Sequence, residues 1–291
     1  MKSTVWKSEA ARGVLLEWFD KFRGRLTVPT ESRVVATRFG DTHVLVGGPV
    51  DGRSVVVLHG ALASSAHALV ELAPLLARFR VYAVDVVGQS AKSADARPSV
   101  ANDDYARWLE DVLEGLALAR THVVGVSWGG FVAIRLAAAR PARIDRLALL
   151  VPAGVVKSPA WAGLTKIGIP MLLYRMFPSP KRLAAFTRNL LTTTDDDWMP
   201  YLGDAFRSFN MDMRVPPLAT PAELAGFTSP TLVIGADADV SFPGEGLLAR
   251  ARELFPRVDR ELIPESRHCP PTTDAFRRWL GDRLTSFLLP S

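Results

Sequence analysis

Ser127 stands between two glycines in the stretch Gly125-Val126-Ser127-Trp128-Gly129, after the apolar run 121–126 and before the helix-forming run 131–140. A serine at a strand-to-helix bend has a chemical use. The bend holds the residue in a strained backbone conformation and lifts its hydroxyl clear of the sheet, and glycines on either side remove the β-carbons that would collide there. The helix that starts at Trp128 adds a dipole favouring an anion. The pattern also occurs by chance as an ordinary turn, so the flanking strand and helix carry the argument. Read as a nucleophile, Ser127 needs a base, because a serine hydroxyl is weakly nucleophilic at neutral pH.

The base must be one of five histidines: His43, His59, His67, His122 and His268. His43 falls in an early strand and His122 opens the strand before Ser127. His67 lies in the first crossover helix, where a place at the edge of a pocket is open to it. His268 follows an apolar strand and precedes Pro270-Pro271, which bar a helix there and fix it in a loop at a strand's carboxyl end. Active sites of open α/β sheets lie at such ends, so His268 is the candidate general base. A carboxylate is needed to fix the imidazole tautomer. Asp237 and Asp239 both follow the strand at 231–236, and spacing alone leaves the two open.

These residues sit on a regular alternation of elements. Valine-rich runs at 54–60 and 79–85 read as strands buried on both faces of a parallel sheet. A helical pattern lies between them at about 66–78. A helix at about 102–119 leads into the Ser127 strand, and helices near 244–254 and 272–288 close the chain, Thr272 or Thr273 capping the last. The order predicts an α/β fold with right-handed crossovers. Two short runs around Gly40-Asp41 predict a hairpin, and 8–24 predicts a core-facing helix with its stripe at Val14, Leu15, Trp18, Phe19 and Phe22. From 154 to 225 the rhythm breaks. That stretch is rich in proline, aromatics and methionine, an adaptable apolar composition, and reads as a helical insertion supplying its own core and part of a substrate pocket. The division is therefore a core of 1–153 and 226–291 with a helical cap at 154–225.

In this setting the chain resembles the α/β-hydrolase superfamily from about Val34 to Leu288, and within it bacterial carboxylesterases and lipolytic hydrolases with a short helical lid. The resemblance is carried by His59-Gly60 in LHGALASS, by VDVVGQSAKS at 84–93, by GVSWGG at 125–130, by GADADVSFP at 235–243 and by ESRHCP at 265–270. It implies a triad in the chain order Ser127, Asp239, His268. Asp239 is favoured over Asp237 because it fits the family's Asp-x-x-x-Pro pattern ending at Pro243. It implies an oxyanion hole from the backbone N–H groups of Trp128 and Ala61, with His59 shaping the Ala61 loop. Arg267 stands where the family often has glycine before the histidine.

The function expected is cleavage of a small apolar carboxylic ester through an acyl-enzyme. The same residues also suit C–C bond hydrolysis, lactone opening, perhydrolysis or acyl transfer, or a non-catalytic receptor for small molecules. No cofactor is implied, and no metal: the acids at 195–197 have no histidine nearby and read as a helix cap. The single Cys269 precludes an internal disulfide and adjoins His268 incidentally. The net charge of +5 is dispersed rather than gathered in a stripe, which argues against a nucleic-acid partner. No signal-peptide pattern and no membrane span appear, so the expected location is the cytoplasm.

Overall fold

The computed structural model describes residues 3–289. Eight strands form one sheet: β1 Thr30–Thr37, β2 Gly40–Gly47, β3 Arg53–Leu58, β4 Phe79–Val84, β5 Thr121–Val126, β6 Ile144–Leu150, β7 Thr231–Ala236 and β8 Val258–Ile263. Their order across the sheet is β1-β2-β4-β3-β5-β6-β7-β8. The β1–β2 and β2–β4 pairs are antiparallel, and the remaining pairs are parallel. The hairpin turn is Arg38-Phe39 rather than Gly40-Asp41. Gly40 instead opens β2 at φ +94°, a conformation open to glycine.

Alternation along each strand divides the core in two. Val55 and Val57 of β3 point into one layer, Val56 and Leu58 into the other. Helices α3 (Asp104–Gly115), α4 (Trp128–Ala139) and α9 (Gly244–Leu254) bury their apolar stripes in the second layer. The first layer is filled by α1 (Glu9–Gly24), α2 (Ser65–Glu71) and α10 (Asp274–Leu288), with Leu15, Phe19 and Phe22 of α1 inside. Thr273 caps α10 by accepting from the Phe276 N–H. The helix expected over 66–78 is broken: α2 stops at Glu71, and Pro74, which lacks an N–H, sits in a separate 3₁₀ turn at Ala73–Ala77.

Between β6 and β7 the chain leaves the sheet. A continuous helical stretch runs through α5 (Ala160–Gly163), a wide π-type turn at Leu164–Gly168 and α6 (Ile169–Met176), followed by α7 (Pro180–Thr187) and α8 (Trp198–Ser208). Tyr201, Leu202, Ala205 and Phe206 of α8 join the first core layer. Helix α1 holds α8 in place: Trp18 Nε1–H donates to Asp204 at 2.9 Å, and Lys21 and Arg25 pair with Asp197 at 2.6 and 2.8 Å. Of the acids at 195–197, Asp195 does the capping, accepting the N–H groups of Asp197 and Trp198.

Candidate active site

Ser127 lies between β5 and α4, as the N-cap of α4, and sits at φ 48°, ψ −111°, in the left-handed half of the backbone map where a residue with a β-carbon is strained. Its surroundings enforce this. Its N–H donates to Leu150 O at 3.0 Å, and its carbonyl accepts from Gly130, Phe131 and Ala153. A β-carbon on Gly125 would stand 2.7 Å from the Gly129 carbonyl oxygen, and one on Gly129 only 2.2 Å from that of Leu58. Both glycines are therefore steric conditions for the bend. The N–H groups of Trp128, in the first turn of α4, and of Ala61 bond to no carbonyl or side chain among the described residues.

Ser127 Oγ lies 2.9 Å from His268 Nε2, and His268 Nδ1 lies 2.8 Å from Asp239 Oδ2. A carboxylate only accepts, so Nδ1 carries the proton and Nε2 is left to accept from the serine hydroxyl. The buried Asp239 is itself held, its Oδ1 accepting the N–H groups of Ser241 and Phe242 at 2.7 and 3.1 Å. Asp237 points elsewhere. It is exposed and accepts the Ser266 N–H at 3.0 Å, tying the end of β7 to the loop that carries His268. Backbone N–H donors, that of Glu265 foremost, hold its carboxyl below the usual range.

Arg267 has a local explanation. Its N–H donates to Thr192 Oγ1 at 2.8 Å and its guanidinium to Leu191 O at 2.8 Å. Cys269 N–H donates to Leu190 O, and Thr192 N–H returns to Cys269 O. The His268 loop is thereby zipped to 190–192 in the segment between β6 and β7. Burial pushes the Cys269 thiol up to about 12, so it stays protonated at neutral pH and is a poor nucleophile.

The loop carrying Ala61 is braced from two sides. His59 is buried; its Nδ1–H donates to Gly60 O at 2.7 Å and its Nε2 accepts the Val86 N–H at 2.9 Å. Burial lowers its pKa, consistent with that neutral form. Behind it, buried Asp85 accepts from Ser65 N–H, Ser65 Oγ, Ser90 Oγ and His43 Nδ1. Burial pushes that carboxyl up, but the His43 bond, the fields of His59 and His43 and the Ser65 hydroxyl outweigh it, so it stays ionised. From the other side, Tyr201 of α8 donates its hydroxyl to Leu62 O. Leu62 is a non-glycine residue at φ 57° directly after Ala61. In the sequence Tyr201 is one of many aromatics in 154–225, and a bond to a residue 139 positions away leaves no local signal.

Over these groups lies a cavity of about 350 Å³, lined by Ser127, His268, Ala61 and Trp128 and walled by apolar side chains such as Leu202, Phe206 and Phe276. His67 also lines it. The ring is buried against Phe22, Trp198 and Tyr201, and neither nitrogen has a hydrogen-bond partner. Burial, with the fields of His59 and Arg25, pushes its pKa down to about 3. Among the described residues, no group of three or more His, Cys, Asp or Glu side chains is placed to hold a metal ion.

A parallel sheet with a serine on its strand–helix bend, a histidine after the last strand and a buried aspartate after the strand before it defines the α/β-hydrolase class of fold. The model of the alpha/beta hydrolase fold matches residues 53–184. Carboxylesterase YbfK of Bacillus subtilis is 35% identical over 281 residues, which are 93% of this chain and 92% of that one. The chain belongs to the α/β-hydrolase family. Two solved structures from Bacillus subtilis share the fold. Naproxen esterase (carboxylesterase NP) superposes with TM-score 0.81 at 23% identity over 96% of this chain and 98% of its own. Carboxylesterase CesB (YbfK) does so with TM-score 0.80 at 22% identity, over 97% and 99%.

Proposed function

We propose that the protein is a serine hydrolase that cleaves carboxylic esters through an acyl-enzyme, with Ser127 as nucleophile, His268 as general base and acid, and Asp239 as the residue that orients it. The observation that carries this reading is the continuous hydrogen-bonded path from Ser127 Oγ through His268 to Asp239, 2.9 and 2.8 Å long, at the floor of an apolar cavity. The carboxylesterase relative, matched over nearly the whole chain, supports the ester as the bond cleaved.

In this mechanism His268 Nε2 takes the Ser127 proton as Oγ attacks the ester carbonyl. The oxyanion of the tetrahedral intermediate accepts from the N–H groups of Ala61 and Trp128, donors already oriented before substrate arrives. The imidazolium, stabilised by Asp239, returns the proton to the departing alcohol. Water deprotonated by the same nitrogen then releases the acid. The helical segment 154–225 acts as the cap, and its apolar wall selects an uncharged, hydrophobic ester. Hydrolysis of 4-nitrophenyl butyrate by the purified protein tests the reading. Ser127→Ala should abolish turnover, and full activity in that variant would overturn it.

A further inference from the structure

The helical stretch 160–176 has two unlike faces. Ile167 and Met171 line the cavity and Tyr174 is buried beneath. On the opposite side Trp161, Leu164, Ile169, Leu172, Met176 and the following Phe177 are exposed, Trp161 by 78% and Met176 by 59%. The wide turn at Leu164–Gly168 keeps this outer stripe in register. Ile169 stands five positions after Leu164 and donates its N–H to the Leu164 carbonyl, the bonding step of a π-type turn, so both stay near one face where a regular helix would rotate them apart. A contiguous apolar stripe of this kind, unpartnered and beside a substrate cavity, calls for an occupant.

Charge says which one. From Val156 to Thr194 the chain carries Lys157, Lys166, Arg175, Lys181, Arg182 and Arg188 and no aspartate or glutamate. None of the six makes an ion pair among the described residues. Elsewhere acids and bases are mixed and much paired, as in Arg277 with Glu71 or Arg38 with Asp111. A second copy of the chain is disfavoured, because a two-fold contact through this face would set the same cations against themselves. Nucleic acid would answer the charge but not the apolar stripe. A layer of anionic headgroups over acyl chains answers both.

We propose that residues 157–188 dock the protein on an anionic phospholipid surface, the Trp161–Met176 stripe entering the headgroup boundary and the cations of the segment flanking it within reach of lipid phosphates, with Arg182 lying over the Phe177 ring at the stripe's end. The cavity then lies one helix diameter, roughly 10 Å, below the lipid, and an apolar ester can pass to it without crossing bulk water. The proposal stands apart from the chemistry of Ser127 and is tested by binding alone.

The experiment is co-sedimentation of the full chain with vesicles of phosphatidylcholine alone and of phosphatidylcholine with about a third phosphatidylglycerol, with light scattering of the free protein alongside. Binding is expected to the anionic vesicles, weak to the neutral ones, and reduced as salt is raised. Two triple variants separate the contributions: Trp161→Ser/Leu172→Ser/Met176→Ser, and Lys166→Glu/Arg175→Glu/Lys181→Glu. Each should lower the anionic-vesicle partition coefficient by about tenfold or more while circular dichroism shows the fold intact. No binding to the anionic vesicles would overturn the proposal, as would undiminished binding by the charge-reversed variant. A dimer in solution that the serine variant dissociates would also overturn it, since a second copy would then cover the stripe.

Discussion

Tyr201→Phe removes one oxygen from the wall of the cavity and should act on the reaction, at a distance from the reacting atoms. The hydroxyl donates to Leu62 O, and Leu62 is buried, so the variant strands a carbonyl acceptor at a cost of about 1–3 kcal/mol. The backbone has reason to relax, because Leu62 is held at φ 57°, where a non-glycine residue is strained by about 1–2 kcal/mol. Relaxation at Leu62 turns the Ala61–Leu62 peptide and, through Ala61, shifts the Gly60–Ala61 peptide that carries the Ala61 N–H. Losing an oxyanion donor outright costs on the order of a hundredfold or more in kcat. Misplacing one should cost a fraction of that, about tenfold. The ring keeps its edge contacts with Phe22 and Trp18, so ester binding should change little. The assay is steady-state hydrolysis of a short 4-nitrophenyl ester, with inhibition by a trifluoromethyl ketone as a probe of the tetrahedral state. The expected result is a lower kcat, a KM within about twofold, and ketone affinity falling in step with kcat/KM. A raised KM at unchanged kcat would refute the positioning argument and make Tyr201 a wall of the pocket only.

Three further perturbations bear on the scaffold. His67 is neutral in the folded protein until about pH 3 but takes a proton below about 6.5 when unfolded. Between those values the unfolded state binds the extra proton, so stability falls as pH falls, by up to about 1.4 kcal/mol per pH unit from this group; urea midpoints measured across that range should fall less steeply in His67→Leu, and an unchanged slope would contradict the assignment. Gly129→Ala should abolish soluble, active protein, because the new methyl would meet the Leu58 carbonyl oxygen at 2.2 Å. Gly13→Ala, in α1 with nothing within 4 Å, should stabilise by roughly 0.5–1 kcal/mol, read as a raised urea midpoint.

The parts of the site readable in the sequence are those set by local backbone punctuation. Gly125 and Gly129 around Ser127, and Pro270-Pro271 after His268, constrain the chain within a few residues of the group they position. Asp237 and Asp239 could not be separated by spacing, because which carboxylate turns toward His268 depends on a turn whose partner, Ser266, belongs to another loop. The break after Glu71 goes with Pro74, whose local signal is masked in the sequence by the helical pattern around it. Long-range groups left no mark. The Tyr201 bond to Leu62, the Asp85 cluster and the Arg267 link to 191–192 each join segments far apart in the chain. The outer stripe of 160–176 was also hidden, since a helical wheel of regular period does not place Leu164 and Ile169 together; only the π-type turn does.

The central claim is that Ser127 is the group acylated, and it can be read directly from covalent mass. The protein incubated with a fluorophosphonate and digested should carry a single adduct, on the peptide containing Ser127, appearing as ester hydrolysis is lost. Ser127→Ala should take up none. An intact protein that hydrolyses esters while its adduct sits elsewhere, or that accepts no adduct at all, would contradict the account.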